Sequence, residues 1–141
     1  MKTIQKTILL GALLTASIFT NAIADDLCTV VGFQKPGTFE YNGPTWCSAV
    51  TLPTIVVHGP LTITGSSISG NAEISGPVTA SGGIFSDITI ANNHSHNIVS
   101  LSDGSIVKNN ITFETEMPGT VVIDSSSKIE GKIINGVIQK K

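Results

Sequence analysis

The chain has 141 residues, of which 13% are charged, and carries a net charge of −2. All its basic side chains apart from histidine are lysines, so it lacks both the clustered cations that hold nucleic-acid phosphates and the guanidinium forks that clamp phosphates or carboxylates. No nucleic-acid partner is expected, and the abundance of Gly, Ser, Thr, Asn, Ile and Val at this length points to one all-β domain.

Residues 1–24 read as a secretory signal peptide. Lys2 and Lys6 form the positive start, an apolar run extends from Ile8 to Phe19, and Ala22-Ile23-Ala24 supplies the small residues of a cleavage site. The run is shorter than the ~20 residues that cross a bilayer, and no later segment approaches that length. The expectation is a secreted or periplasmic protein that starts at Asp25 and has no membrane span after cleavage.

Residues 25–53 read as an N-terminal cap. Cys28 and Cys47 are the only cysteines, and in an exported chain a disulfide between them is the default. Closing that loop contributes about 3 kcal/mol in the chain-entropy account. Lys35-Pro36-Gly37 and Tyr41-Asn42-Gly43-Pro44 are turn signals between short apolar or aromatic runs.

Residues 54–141 repeat. Gly59-Pro60-Leu61-Thr62-Ile63 returns 17 positions later as Gly76-Pro77-Val78-Thr79-Ala80. Ile68, Ala72 and Ile74 are followed after 16 positions by Ile84, Ile88 and Ile90, and after 23 more by Val107, Ile111 and Phe113. Val99, Leu101, Val107 and Ile111 then return after 22 positions as Val121, Ile123, Ile129 and Ile133. Recurrence in phase with variable spacers is the pattern of stacked coils whose loops leave at a corner. Bursts such as Leu61-Thr62-Ile63 alternate with period two, which sends the aliphatic side chains inward and the threonines outward. The fold expected is an all-β, right-handed parallel β-helix (solenoid) of about four to five coils with an N-terminal disulfide-stapled cap. Ile63, Ala80, Leu101 and Ile123 form one interior column.

Few residues carry chemistry. His94 and His96, inside Asn92-Asn93-His94-Ser95-His96-Asn97, would share one face of a strand and are the metal-ligating candidates. Two ligands do not complete a site, and a polar, solvated loop is the favoured reading. The extra residues of the longer coils enter around this loop and around Glu114 to Gly119. Asn92, Asn93, His94, His96, Asn97, Glu114 and Glu116 are therefore the candidate interaction residues. The acids are dispersed over separate coils; only Asp103 and Asp124 approach a shared position, and their offset of 21 is one short of the repeat. No catalytic residue and no cofactor is implied. Rows of outward threonine could in principle match an ice lattice, but the outward positions read as a free mixture of Thr, Ser, Glu and Lys.

The Gly-punctuated coils from Val57 to Ile90, together with Lys128-Ile129-Glu130-Gly131-Lys132-Ile133, resemble the bactofilin-type polymer-forming β-helices. The resemblance implies a nucleotide-independent scaffold that associates end to end through its terminal coils. The chain is also similar in outline to small exported bacterial solenoid proteins, from which no activity carries over. The function expected is a non-enzymatic exported structural or interaction module, with a homo-oligomer, or a cell-envelope glycan or protein, as partner. The alternative is a carbohydrate-binding or glycan-acting β-helix.

Overall fold

The computed structural model describes residues 28–91 and 97–141, all of them strands, turns and bends. The signal-peptide segment and the candidates Asn92, Asn93, His94 and His96 lie outside the described residues.

The described residues form seventeen short strands that wind into a parallel β-solenoid with two sheets. The first sheet stacks Thr45–Ser48, Leu61–Thr64, Val78–Ser81, Ile98–Ser102, Gly119–Ile123 and Gly136–Lys140, each parallel to the next. That makes about six coils. The expected four to five is low because the segment ahead of Thr54 forms a coil of its own: Glu40–Asn42, Thr45–Ser48 and Thr51–Leu52 all pair in parallel with the coil that follows.

Ahead of that coil the chain reverses. Thr29–Val30 pairs antiparallel with Thr45–Ser48, and Phe33–Gln34 antiparallel with Glu40–Asn42, so both sheets end on an antiparallel edge. The Cys28–Cys47 disulfide ties the first of these edges to the stack. Two-residue edge strands offer little template to another chain, which is how sheet edges are commonly protected.

Five columns of side chains fill the interior. The one expected from the sequence is present and longer at both ends: Cys47, Ile63, Ala80, Leu101, Ile123 and Lys140. A second runs Thr45, Leu61, Val78, Val99, Val121 and Ile138. In the second sheet, Leu52, Ile68, Phe85, Val107 and Ile129 stack, beside Ile55, Ala72, Ile88, Ile111 and Ile133. Tyr41, Val57, Ile74, Ile90 and Phe113 complete the set. The 22-residue recurrence is realised at all four of its positions.

One expected alignment is corrected. Ile84 does not join the column of Ile68 and Val107; Phe85 does, and Ile84 faces outward. The register shifts between Phe85 and Asp87, so the spacing back to the previous coil is 17 before this irregularity and 16 after it. The space for the larger ring comes from its small neighbours. A methyl group added at Gly83 would lie 3.0 Å from the Phe85 ring and 3.4 Å from the Ala80 methyl.

Backbone polar groups are satisfied at the corners. After four successive first-sheet strands the chain turns through a left-handed residue, Ala49, Gly65, Gly82 and Asp103 in turn. Next to this turn, buried serines reach back one coil: Ser66 Oγ accepts from the Val50 N–H at 3.1 Å, and Ser105 Oγ from the Gly83 N–H at 3.1 Å. Ser127 Oγ continues the series by accepting from the Ser105 N–H at 3.0 Å.

Candidate functional site

Pleating divides each strand between core and solvent, so the outward positions of the two sheets form two broad faces. They differ in chemistry. On the second sheet the outward register runs Glu40, Val56, Glu73, Thr89 and Thr112. Glu40 there contacts His58 at 3.0 Å and Lys35 at 3.3 Å. The His58 hydrogen bond, and then that of Lys35, hold the Glu40 carboxyl below the usual carboxylate range.

Among the described residues, the first sheet carries no charged side chain at any outward strand position. One outward rank runs Trp46, Thr62, Thr79, Ser100, Val122 and Gln139. A second runs Ser48, Thr64, Ser81 and Ser102. The expectation of a free mixture of Thr, Ser, Glu and Lys is therefore corrected: Glu lies on the second sheet, and the first shows neutral side chains, hydroxyls over most of its length with Ile98, Val122, Val137 and Gln139 toward the C-terminal coils. Adjacent coils place neighbouring hydroxyls about 4.8 Å apart, and the two ranks run about 6.8 Å apart along each strand. Trp46 heads the first rank and is 44% exposed.

At the far edge of this face lie the two acids of near-matching offset. Asp103 accepts from Ser81 Oγ at 2.6 Å and from Ser102 Oγ at 3.2 Å. Asp124 accepts from the Asp103 N–H at 3.0 Å, from the N–H groups of Ser126 and Ser127, and from the Ser126 hydroxyl. Those donors, the Asp103 N–H foremost, pull the Asp124 carboxyl down to about 2. Both acids thus act as acceptors that lock corners of adjacent coils.

The lengthened corner between the second and first sheets holds the remaining candidates that are described. Asn97 Nδ2 reaches the Met117 carbonyl at 3.5 Å, and the Thr120 N–H donates to the Asn97 carbonyl at 2.8 Å. Asn97 and the segment around Met117 therefore meet at one corner. Glu114 and Glu116 are exposed there, and Asn135 braces the loop from the next coil through hydrogen bonds to the Phe113 and Thr115 carbonyls. Glu114 and Glu116 are not held by any ion pair among the described residues.

The C-terminal coil differs from the N-terminal one. Ile129, Ile133 and Ile138 occupy core-facing columns, yet Ile138 is 49% exposed because no coil of the described residues lies over it. An open pocket of about 360 Å³ lies here, between Ile123, Ile138 and Lys140. Lys140 takes the core-facing place above Ile123, and an inward-facing charge on a terminal strand is one of the devices that blunt an open edge.

Sequence reasoning missed the neutral face, because which strand joins which sheet is not visible in a repeat pattern. The available signal was the run of Thr-x-Thr, Thr-x-Ser and Ser-x-Ser at 62–64, 79–81 and 100–102. No family model, curated protein or solved structure matches the chain, so its likeness to the bactofilin-type β-helices rests on the coil pattern alone.

Proposed function

We propose that the protein is a non-enzymatic, exported structural or interaction module whose C-terminal coil receives a second copy of the chain. The observation that carries the reading is the asymmetry of the two ends. The N-terminal end is closed by antiparallel strands, whereas the final coil presents Ile129, Ile133 and Ile138 in core-facing register with the edge of Gly136–Lys140 unpaired among the described residues. Fully burying one such side chain contributes roughly 1.5–3 kcal/mol, so seating this end against another copy is favourable. Lys140 opposes that seating and keeps it weak and concentration-dependent. The Cys28–Cys47 disulfide supports an oxidising, exported compartment. A non-enzymatic role is supported by Asp103 and Asp124, whose carboxylates are taken up in corner hydrogen bonds.

Light scattering over a range of concentrations tests this reading. Association should rise with concentration, strengthen in Lys140→Ile, which extends the apolar column, and disappear in Ile138→Lys. A monomer at every concentration in both the parent protein and Lys140→Ile would refute it.

A further inference from the structure

We infer that the outward face of the first sheet binds a neutral polysaccharide chain, laid along the solenoid axis across Trp46, Thr62, Thr79 and Ser100. The inference is independent of association through the C-terminal coil.

Charge selects the class of ligand. Among the described residues, the strand positions of the face hold no cation to pair with phosphate or carboxylate, and the acids at its edge, Asp103 and Asp124, are taken up in corner hydrogen bonds, while the opposite sheet carries Glu40 and Glu73 at outward positions. A charged ligand laid here would lose hydration without gaining a partner. A protein partner would require a cluster of apolar anchors at the centre of the patch, where this face has threonine and serine.

The polar groups present are those a sugar chain can use. Among the described residues, the hydroxyls of Thr62, Thr79 and Ser100 make no hydrogen bond to another protein group, so each can both donate and accept. They sit on a hydrogen-bonded sheet, so little ordering is needed when a ligand docks. From Trp46 to Ser100 the rank covers three inter-coil steps, about 14 Å, over which a stiff chain of sugar rings repeats its own hydroxyls.

Trp46 supplies the element a hydroxyl array lacks. Its ring lies beside Thr29 and Thr62 in the register and remains 44% exposed, although a tryptophan is ordinarily among the most deeply covered side chains. An exposed indole offers an apolar face to the C–H side of a sugar ring and an N–H to its hydroxyls. Hydroxyls fill only three places of this rank, between Trp46 and Val122, which disfavours a flat lattice of water as the occupant.

The test is a depletion assay of the disulfide-bonded protein against two insoluble neutral polysaccharides, microcrystalline cellulose and chitin, with circular dichroism confirming that each variant is folded. At least one polysaccharide should remove the protein from solution. Trp46→Ala and Thr79→Lys should each weaken binding about tenfold or more, Trp46→Phe should retain most of it, and Glu73→Gln on the opposite sheet and Ile138→Lys at the C-terminal coil should leave it unchanged. No depletion by either polysaccharide, or equal binding by all variants, overturns the inference. Inhibition of ice recrystallisation that is lost in Thr79→Lys, without polysaccharide binding, also overturns it and assigns the face to a water lattice.

Discussion

Gly119 offers a sharp test of how the last coils are packed. It opens the strand Gly119–Ile123 and lies directly under Gly136 of the final coil. A methyl group built on Gly119 collides with the Phe113 ring, and one on Gly136 would lie 2.7 Å from the same ring. Phe113 is 2% exposed, so the ring has little room to move aside. Neither glycine has a left-handed backbone, so Gly119→Ala meets a purely steric obstacle. Overpacking of this kind costs about 1–3 kcal/mol, offset by the ~0.5–1 kcal/mol that alanine gains over glycine inside a strand. The net expectation is a loss of about 1–2 kcal/mol. Phe113→Ala alone should cost about 3–5 kcal/mol through the cavity it leaves. With the ring removed, Gly119→Ala becomes neutral or stabilising, so the double-mutant cycle should show a coupling of about 1–3 kcal/mol. Urea unfolding followed by far-ultraviolet circular dichroism measures all four proteins. Trp46 fluorescence read in parallel reports the first coil, which a solenoid lets respond separately from the fifth. Additive effects, or a stabilising Gly119→Ala in the parent, would refute the packing argument.

Replacing both Cys28 and Cys47 with serine opens a linkage of sequence separation 19 and should cost about 3 kcal/mol. Because the antiparallel edge is tied at the first coil, the Trp46 fluorescence midpoint should fall ahead of the dichroism midpoint; unchanged midpoints would contradict this. Ser105→Ala strands the buried Gly83 N–H, at about 1–3 kcal/mol, whereas the exposed Ser125→Ala should stay within about 0.5 kcal/mol; hydrogen exchange at the Gly83 amide checks the assignment. Asp124 is held at about 2 against an ordinary 3.8, so its contribution to stability is present above about pH 4 and is lost as the pH falls through about 2. A carbon-detected titration that places its midpoint near 4, or an acid-unfolding limb unchanged in Asp124→Asn, would rule that out.

How far each feature could be read in the sequence depends on what keeps neighbouring coils in step. Val99 to Ile111 and Val121 to Ile133 share the same corner lengths between their segments, so one offset aligns every column and the match is plain. Around Ile84 and Phe85 the offset itself changes at the irregularity before Asp87, and two adjacent large apolar residues leave the choice of inward side chain to three-dimensional packing. The first coil is marked by a Gly-Pro pair, since Gly43-Pro44 precedes Gly59-Pro60 by 16 positions just as that pair precedes Gly76-Pro77 by 17. Its strand holds Trp46 and Cys47 in place of aliphatic residues, which gives it the look of a separate cap. The contrast between a neutral and a charged face is harder still, because it appears only once each outward residue is assigned to a sheet.

Sheet stability alone does not account for the neutral face. Cross-strand threonine pairs and β-branched side chains stabilise a sheet, and Thr62 beside Thr79 fits that explanation. Serine does not, yet Ser48, Ser81, Ser100 and Ser102 occupy outward strand positions where valine or threonine would pair better. Solubility is equally insufficient, since lysine and glutamate meet that need elsewhere on the same molecule at no cost to the core. Nor does either explanation leave a tryptophan in water at the head of the rank. What serine, threonine and an exposed indole have in common is the capacity to exchange hydrogen bonds and apolar contact with an uncharged, hydroxyl-rich surface. Among the described residues, the first sheet brings the hydroxyl rank and the exposed indole together on one rigid side.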